Sequence, residues 1–318
     1  MTFDYSENMR NEQLNMILST LRAINDNSAV DMAFYLLYHP QAGSEINDVV
    51  AAWQAHQPYY PIKYSQYTTE YTPAIIQFDL NNVDHQKILS DSVHQALLEI
   101  EPNKLSQFNP RKIYGWLWSS LPAEQLAKQI GYIAIQSRGQ HQELIRYFDS
   151  AIFPAFMSIL NGNQQDKVLR PVSDWYYLDG DGQLQHKHNR QMIRKHITPD
   201  LALSNEQWSM IDDIVIHNQI LIRYREQKLT EKRLTENECN KILTTVLIQA
   251  KAAGYTDFKD LVEYGYYSMS VHPNIMLHEK IIKIKMTNQT EQLKTSLAKL
   301  SEQDWQMMKQ QVEGINND

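Results

Sequence analysis

The hydrophobic pattern of this chain changes near residue 190, and the change leaves few architectures open to it. Up to that point, short apolar runs typical of strands alternate with amphipathic stretches of helical spacing. After Pro199 only helical periodicity is found, and two capping boxes, beginning at Ser204 and Thr235, mark helix starts. We therefore predict an α/β (α+β) fold, with a mixed β-sheet lobe covered by helices over residues 1–195 and an all-helical lobe over residues 196–318.

The N-terminal lobe contains six runs that are predicted to be strands. They are residues 32–38, 73–80, 112–118, 144–148, 172–178 and 183–188. The last two flank the sequence Asp-Gly-Asp-Gly at 179–182, which predicts a tight hairpin because Asp-Gly supplies the positive φ that such turns need.

The run at 143–149, Glu-Leu-Ile-Arg-Tyr-Phe-Asp, is apolar and aromatic apart from one arginine, and we interpret it as a buried strand closed by Asp149. An arginine inside such a strand must reach a carboxylate or carbonyl oxygens. We expect Arg146 to be mostly buried and paired with Asp149 or Asp174. Asp149 or Ser150 is expected to cap the helix that follows, and Trp175 to lie in the core.

Composition excludes several classes of protein. With a net charge of −7, the chain lacks the overall positive charge that is typical of nucleic-acid-binding proteins. Glycine is scarce, and no glycine-rich phosphate-binding motif is found. Cys239 is the one cysteine, so no intrachain disulfide can form. The N-terminus lacks signal-peptide features, and no apolar run approaches the roughly 20 residues that cross a bilayer. We expect a cytoplasmic protein with neither nucleic acid nor membrane as partner.

The histidine pair His186 and His188, with His196 nearby, is the best candidate for a metal site. Alternate residues of a strand share a face, so both imidazoles can point the same way. No cysteine or carboxylate stands at a characteristic spacing to give a third ligand, so an exposed polar strand end is the favoured interpretation. A calcium loop at 179–182 is rejected because its glutamate position falls on Arg190. We predict no catalytic residues, metal or cofactor.

Three segments resemble a known bacterial family: Tyr-Gly-Trp-Leu-Trp-Ser at 114–119, Leu-Ile-Arg-Tyr-Phe-Asp at 144–149, and Pro-Val-Ser-Asp-Trp at 171–175. Together they resemble the type VI secretion effector adaptor/chaperone proteins of the Tap or Tec type. Two further segments are similar to that family, Tyr-Leu-Leu-Tyr at 35–38 and Tyr-Thr-Pro-Ala-Ile-Ile at 71–76. The chain departs from the family at 150–151, where Ser-Ala replaces Pro-Arg, and at Tyr38, which replaces an aspartate.

This resemblance implies a cytoplasmic, non-enzymatic protein that binds a secreted effector and helps to load it onto the VgrG or PAAR spike protein. The N-terminal lobe carries most of the resemblance and is the candidate for spike docking, with Arg146, Asp149, Asp174 and Trp175 as structural or partner-binding residues. The helical lobe is the candidate for choosing the cargo, and Tyr264, Tyr267 and Trp305 are its candidate contact residues. The alternatives are a hydrolase-type enzyme with a cleft between the lobes and a regulatory protein-interaction module.

Overall fold

A six-stranded antiparallel sheet forms the centre of the N-terminal half in a computed structural model of the chain. The structure describes residues 7–27, 31–40, 52–54, 57–64, 72–101, 104, 111–190, 200–226, 234–287 and 292–315. These residues belong to two compact units, Met1–Trp208 and Ser209–Asp318. His196 and Tyr71, both named above, lie outside the described residues.

The strands of this sheet are β1 Ala33–Tyr38, β2 Tyr59–Pro61, β3 Ala74–Phe78, β4 Ile113–Ser119, β7 Asp174–Leu178 and β8 Leu184–His188, in the spatial order β2-β3-β1-β4-β7-β8. Every neighbouring pair is antiparallel, so the α+β class is confirmed but the prediction of a mixed sheet is wrong. The alternation of strand and helix suggested parallel neighbours. Instead, β3 and β4 are parallel to each other but flank β1, and the helix Val83–Glu99 crosses between them.

The predicted strand at 144–148 is wrong. A separate two-stranded sheet, β5 Ile135–Arg138 and β6 His141–Leu144, ends where that strand was expected to begin. The chain then turns, with the Ile145 N–H donating to the Ala134 carbonyl at 2.7 Å. Tyr147 and Phe148 are fully buried in this turn. The apolar run therefore indicates only that its side chains are buried. A continuous apolar run without alternation does not by itself identify a strand.

The helices of the first unit cover the sheet and the buried turn. Their bounds are Glu7–Asn27, Val83–Glu99, Ala123–Ala134, Phe153–Ile159, Gly162–Leu169 and Asn205–Asp212. The last of these continues four residues beyond Trp208, where the unit ends. Helix Val83–Glu99 begins at the N-cap Asn82 and turns Ile88, Leu89 and Val93 into the core. The core also contains the stacked rings of Phe34 and Trp118, whose centroids are 4.2 Å apart.

The second unit is helical throughout its described residues, as predicted. Its helices are Ile214–Glu226, Glu236–Ala252, Phe258–Ser270, Glu279–Thr287, Leu293–Leu297 and Glu302–Ile315, with a 3-10 turn at Ile275–Leu277. The predicted capping box at Thr235 forms with Glu238, and Gly254 ends the same helix at φ +82°. The helix expected from Ser204 to Arg225 is divided in two near Asp213. None of the described helices in either unit has both the length and the apolar character that spanning a membrane requires.

Candidate functional site

The three segments that carry the family resemblance meet in one part of the first unit. Strand β4 lies beside β7, and Leu117 pairs with Trp175. Gly115 sits at φ +149°, and a Cβ there would come within 2.4 Å of the Tyr176 carbonyl oxygen. The indole of Trp175 occupies the neighbouring space, since its Nε1 would be 2.8 Å from the same Cβ. Only glycine allows this close approach of the two strands.

Arg146 connects the buried turn to strand β4. Its Nη2 donates to the Tyr114 hydroxyl at 2.5 Å and to Asp149 Oδ2 at 3.3 Å. Its predicted pairing with Asp149 is therefore confirmed, whereas Asp174 lies in another cluster. The side chain keeps 41% of its surface exposed, so the expected burial of the arginine is confirmed only in part.

Asp149 is the buried member of this pair, with 10% of its side chain exposed. Burial raises its pKa, although the charges of Arg146 and Arg111 and the N–H of Ala151 act in the opposite direction. The Ala151 N–H donates to Asp149 Oδ1 at 3.0 Å, so the carboxylate stabilises the turn. The expectation that Asp149 or Ser150 caps helix Phe153–Ile159 is wrong, because the N-cap is Ile152 and no side chain accepts a hydrogen bond there.

Arg111 is a buried residue of this cluster that the sequence did not single out. Its Nη1 donates to the carbonyl oxygens of Ser150 and Leu178, at 3.3 Å and 3.2 Å. It therefore joins the turn to the end of β7. Residues 105–110, which precede it, lack strand or helix periodicity, so no sequence signal indicated that it would be buried.

Trp175 is a core residue, as expected. It is fully buried and stacks on Phe153, with ring centroids 4.5 Å apart. Tyr147 contacts the same indole edge-on at 6.2 Å. The aromatic residues of the turn, of β7 and of the following helix thus pack as one group, which fixes the position of the three segments relative to one another.

A second cluster lies on the hairpin of β7 and β8. Asp174 pairs with His188 and Tyr176 with His186 in the strand register. Asp174 Oδ1 is 2.7 Å from His186 Nε2 and 2.9 Å from His188 Nδ1. Burial raises the pKa of Asp174, but hydrogen bonds from His188, His186 and Ser173 outweigh it and the net shift is downward. Asp174 on β7 thus supplies the carboxylate for which the sequence spacing around the two histidines gave no candidate.

The helical unit holds an aromatic patch, which we define as Tyr266, Tyr267 and Trp305 together with Arg223. The rings of Tyr267 and Trp305 are stacked, 4.5 Å apart and 5° from parallel, and both are partly exposed. The Arg223 guanidinium lies 3.8 Å from the centre of the Tyr266 ring and 2.5 Å from Glu263. Tyr264, which was also a candidate contact residue, is fully buried in the core of this unit.

Cys239 is buried at 1% exposure on the helix Glu236–Ala252, which fits a packing role. In the hairpin turn, Asp179 Oδ1 accepts hydrogen bonds from the backbone N–H groups of Asp181 and Gln183, so this carboxylate stabilises the turn itself.

Comparison of the chain with protein-family models, with curated proteins and with solved structures found no match.

Proposed function

We propose that this protein is a cytoplasmic adaptor/chaperone that binds a type VI secretion effector and helps to load it onto a VgrG or PAAR spike protein. It acts by binding and not as an enzyme. The first unit docks on the spike, and the helical unit selects the effector. The observation that carries the proposal is the meeting of the three family-like segments in one packed cluster.

This meeting supports the proposal because the segments are distant in sequence and need not have been neighbours. Ser119 Oγ donates to the Pro171 carbonyl at 2.6 Å, and the Ser173 N–H donates to the Trp118 carbonyl at 2.8 Å. Arg146 ties the turn segment to Tyr114 at the start of the first segment. Mutual support among the residues that resemble the family signature is what a fold shared with that family requires, and it therefore supports the proposal.

The aromatic patch supports the assignment of cargo binding to the helical unit. Tryptophan, tyrosine and arginine are the residue types that dominate binding energy at protein interfaces. Here they are stacked on one another before any partner arrives, so little side-chain entropy is lost on binding. Glu263, which is 6% exposed in its side chain, holds the Arg223 guanidinium over Tyr266. The effector segment that fits such a surface presents apolar side chains.

The proposal is tested by co-purification from cells that express the full-length chain with the effector and spike proteins encoded beside its gene. We expect both proteins to be retained by the wild-type chain. Trp305→Ala should lower the recovery of the effector at least about tenfold, because hot-spot truncations cost about 2 kcal/mol or more. The recovery of the spike protein should not change.

Phe258→Ala is the matched control, since Phe258 is an aromatic residue of the same unit with 46% exposure outside the patch. It should retain the effector. Thermal unfolding of both variants checks that the helical unit stays folded. Recovery of neither protein with the wild-type chain contradicts the proposal, and hydrolytic turnover by the purified chain favours the enzyme alternative. Unchanged effector recovery with Trp305→Ala contradicts the assignment of the patch.

A further inference from the structure

Among the residues that the structure describes, Asp174, His186 and His188 form a group whose three ligand atoms all lie within 4.8 Å of one another. Two of the residues lie on β8 and one on β7, and the strand register places them on the same face of the hairpin. Lys187 lies between the two histidines in sequence, so its side chain points to the opposite face. No ammonium group from β8 therefore competes for the carboxylate.

We propose that Asp174, His186 and His188 bind a divalent transition-metal ion, with Zn²⁺ as the preferred occupant. The three residues supply two imidazole nitrogens and one carboxylate oxygen. This donor set suits zinc and its first-row neighbours, whereas Ca²⁺ and Mg²⁺ take oxygen ligands. The site does not depend on the adaptor function.

The present distances are close to those of a bound ion. Zinc bonds of about 2.0–2.1 Å to nitrogen and 2.0–2.2 Å to oxygen place tetrahedral ligands about 3.4 Å apart. The observed separations from Asp174 Oδ1 to His186 and His188 are 2.7 Å and 2.9 Å, which are hydrogen-bond distances. These two separations must therefore widen by about 0.5–0.7 Å to admit the ion. The side chain of His188 has room to move, because 59% of its surface is exposed.

Neighbouring residues support the ring of His186 and the backbone of Asp174. The ring of His186 stacks on Tyr176, with centroids 4.1 Å apart and planes within 6°. Tyr176 is itself packed edge-on against Trp118 of the sheet core, at 5.5 Å. Asp174 is paired in register with both Trp118 and His188, so its backbone is fixed from two sides. Support of this kind orients ligands before the metal arrives.

Three protein ligands leave a fourth tetrahedral position, which solvent can reach because both histidines are exposed. A water molecule is the expected fourth ligand.

The test is a calorimetric titration of the metal-free, untagged full-length protein with Zn²⁺ alone, followed by Co²⁺ with its visible absorption as an independent readout. We expect one ion per chain. His186→Gln, His188→Gln and Asp174→Asn should each weaken binding by at least about tenfold, because loss of a ligand costs no less than loss of a supporting partner.

His141→Gln is the matched control, since His141 is an exposed strand histidine on the separate β5–β6 hairpin, and it should bind as the wild type does. Thermal unfolding of each metal-free variant separates loss of ligation from loss of the hairpin. Asp174→Asn preserves the shape of the side chain, and it is the variant to titrate if a histidine variant does not fold. The proposal is overturned if the wild-type chain binds neither ion, or if the double variant His186→Gln/His188→Gln binds Zn²⁺ with unchanged affinity.

Discussion

The ion pair between Arg225 and Glu236 offers a quantitative test of how the helical unit is held together. Arg225 Nη2 lies 2.6 Å from Glu236 Oε2, and only 7% and 8% of the two side chains are exposed. Arg225 is in the last turn of helix Ile214–Glu226, and Glu236 is in the first turn of helix Glu236–Ala252. Each charge therefore also interacts favourably with the dipole of its own helix.

Removing one partner leaves the other charge buried. At the observed separation the attraction is about 6 kcal/mol for an effective dielectric constant near 20, and relaxation offsets part of it. We expect Arg225→Met and Glu236→Leu each to lower the free energy of unfolding by about 3–5 kcal/mol. The double variant, in which apolar groups replace both charges, should be less destabilised than either single variant, because neither buried charge remains.

The assay is urea unfolding of the full-length chain followed by far-UV circular dichroism. With a slope of about 2 kcal/mol per molar urea, a loss of about 4 kcal/mol lowers the midpoint by about 2 M. Lys283→Met is the control, since Lys283 pairs with Glu279 at 71% and 78% exposure and should cost less than about 1 kcal/mol. Single variants that unfold like the wild type, or effects that simply add in the double variant, would refute the reasoning.

Four further variants probe the N-terminal unit. Gly115→Ala should destabilise it by about 3 kcal/mol or more in thermal unfolding, since the added methyl meets backbone, whereas Gly139→Ala, at φ +60° in open space, should cost about 1 kcal/mol. Burial raises the pKa of Glu99 to about 7, so its contribution to stability is present below about pH 4.5 and is lost as the pH rises through 7. Glu99→Gln should therefore gain roughly 2–4 kcal/mol over the wild type between about pH 5 and pH 8, measured by urea unfolding at both values. Arg146→Ala should cost about 3 kcal/mol in the same assay, because it removes an ion-pair and hydrogen-bond partner of the buried Asp149 carboxylate.

Local signals in the sequence predicted the hairpin and the helical unit correctly because each depends on neighbouring residues. The Asp-Gly turn predicted the pair of strands β7 and β8, and the capping box at Thr235 predicted the start of the following helix at the observed residue. The run at 144–148 failed because hydrophobicity indicates burial, and a buried turn stabilised by Asp149 and Arg111 has the same composition as a buried strand. The contacts of Arg111 join residues that are distant in sequence, so no local pattern indicates them.

The sequence predicted the hairpin but not the register that forms the cluster around Asp174. A four-residue turn at 179–182 would place Leu178 beside Gln183 and Asp174 beside Lys187. The observed loop is one residue longer, so Leu178 pairs with Leu184 and Asp174 with His188, which brings the carboxylate to the histidines. The stacking of Tyr267 on Trp305 was not predictable either, since the packing of two separated helices depends on the whole unit.

The outermost described strands of the large sheet, β2 and β8, resist extension by another chain. β2 has three residues and ends in Pro61, which has no N–H to donate. β8 carries Lys187 between two exposed histidines. Short strands, proline and charged side chains at sheet edges suppress aggregation between copies of a protein. The polar residues of β8 therefore also protect the protein against polymerising through its own sheet.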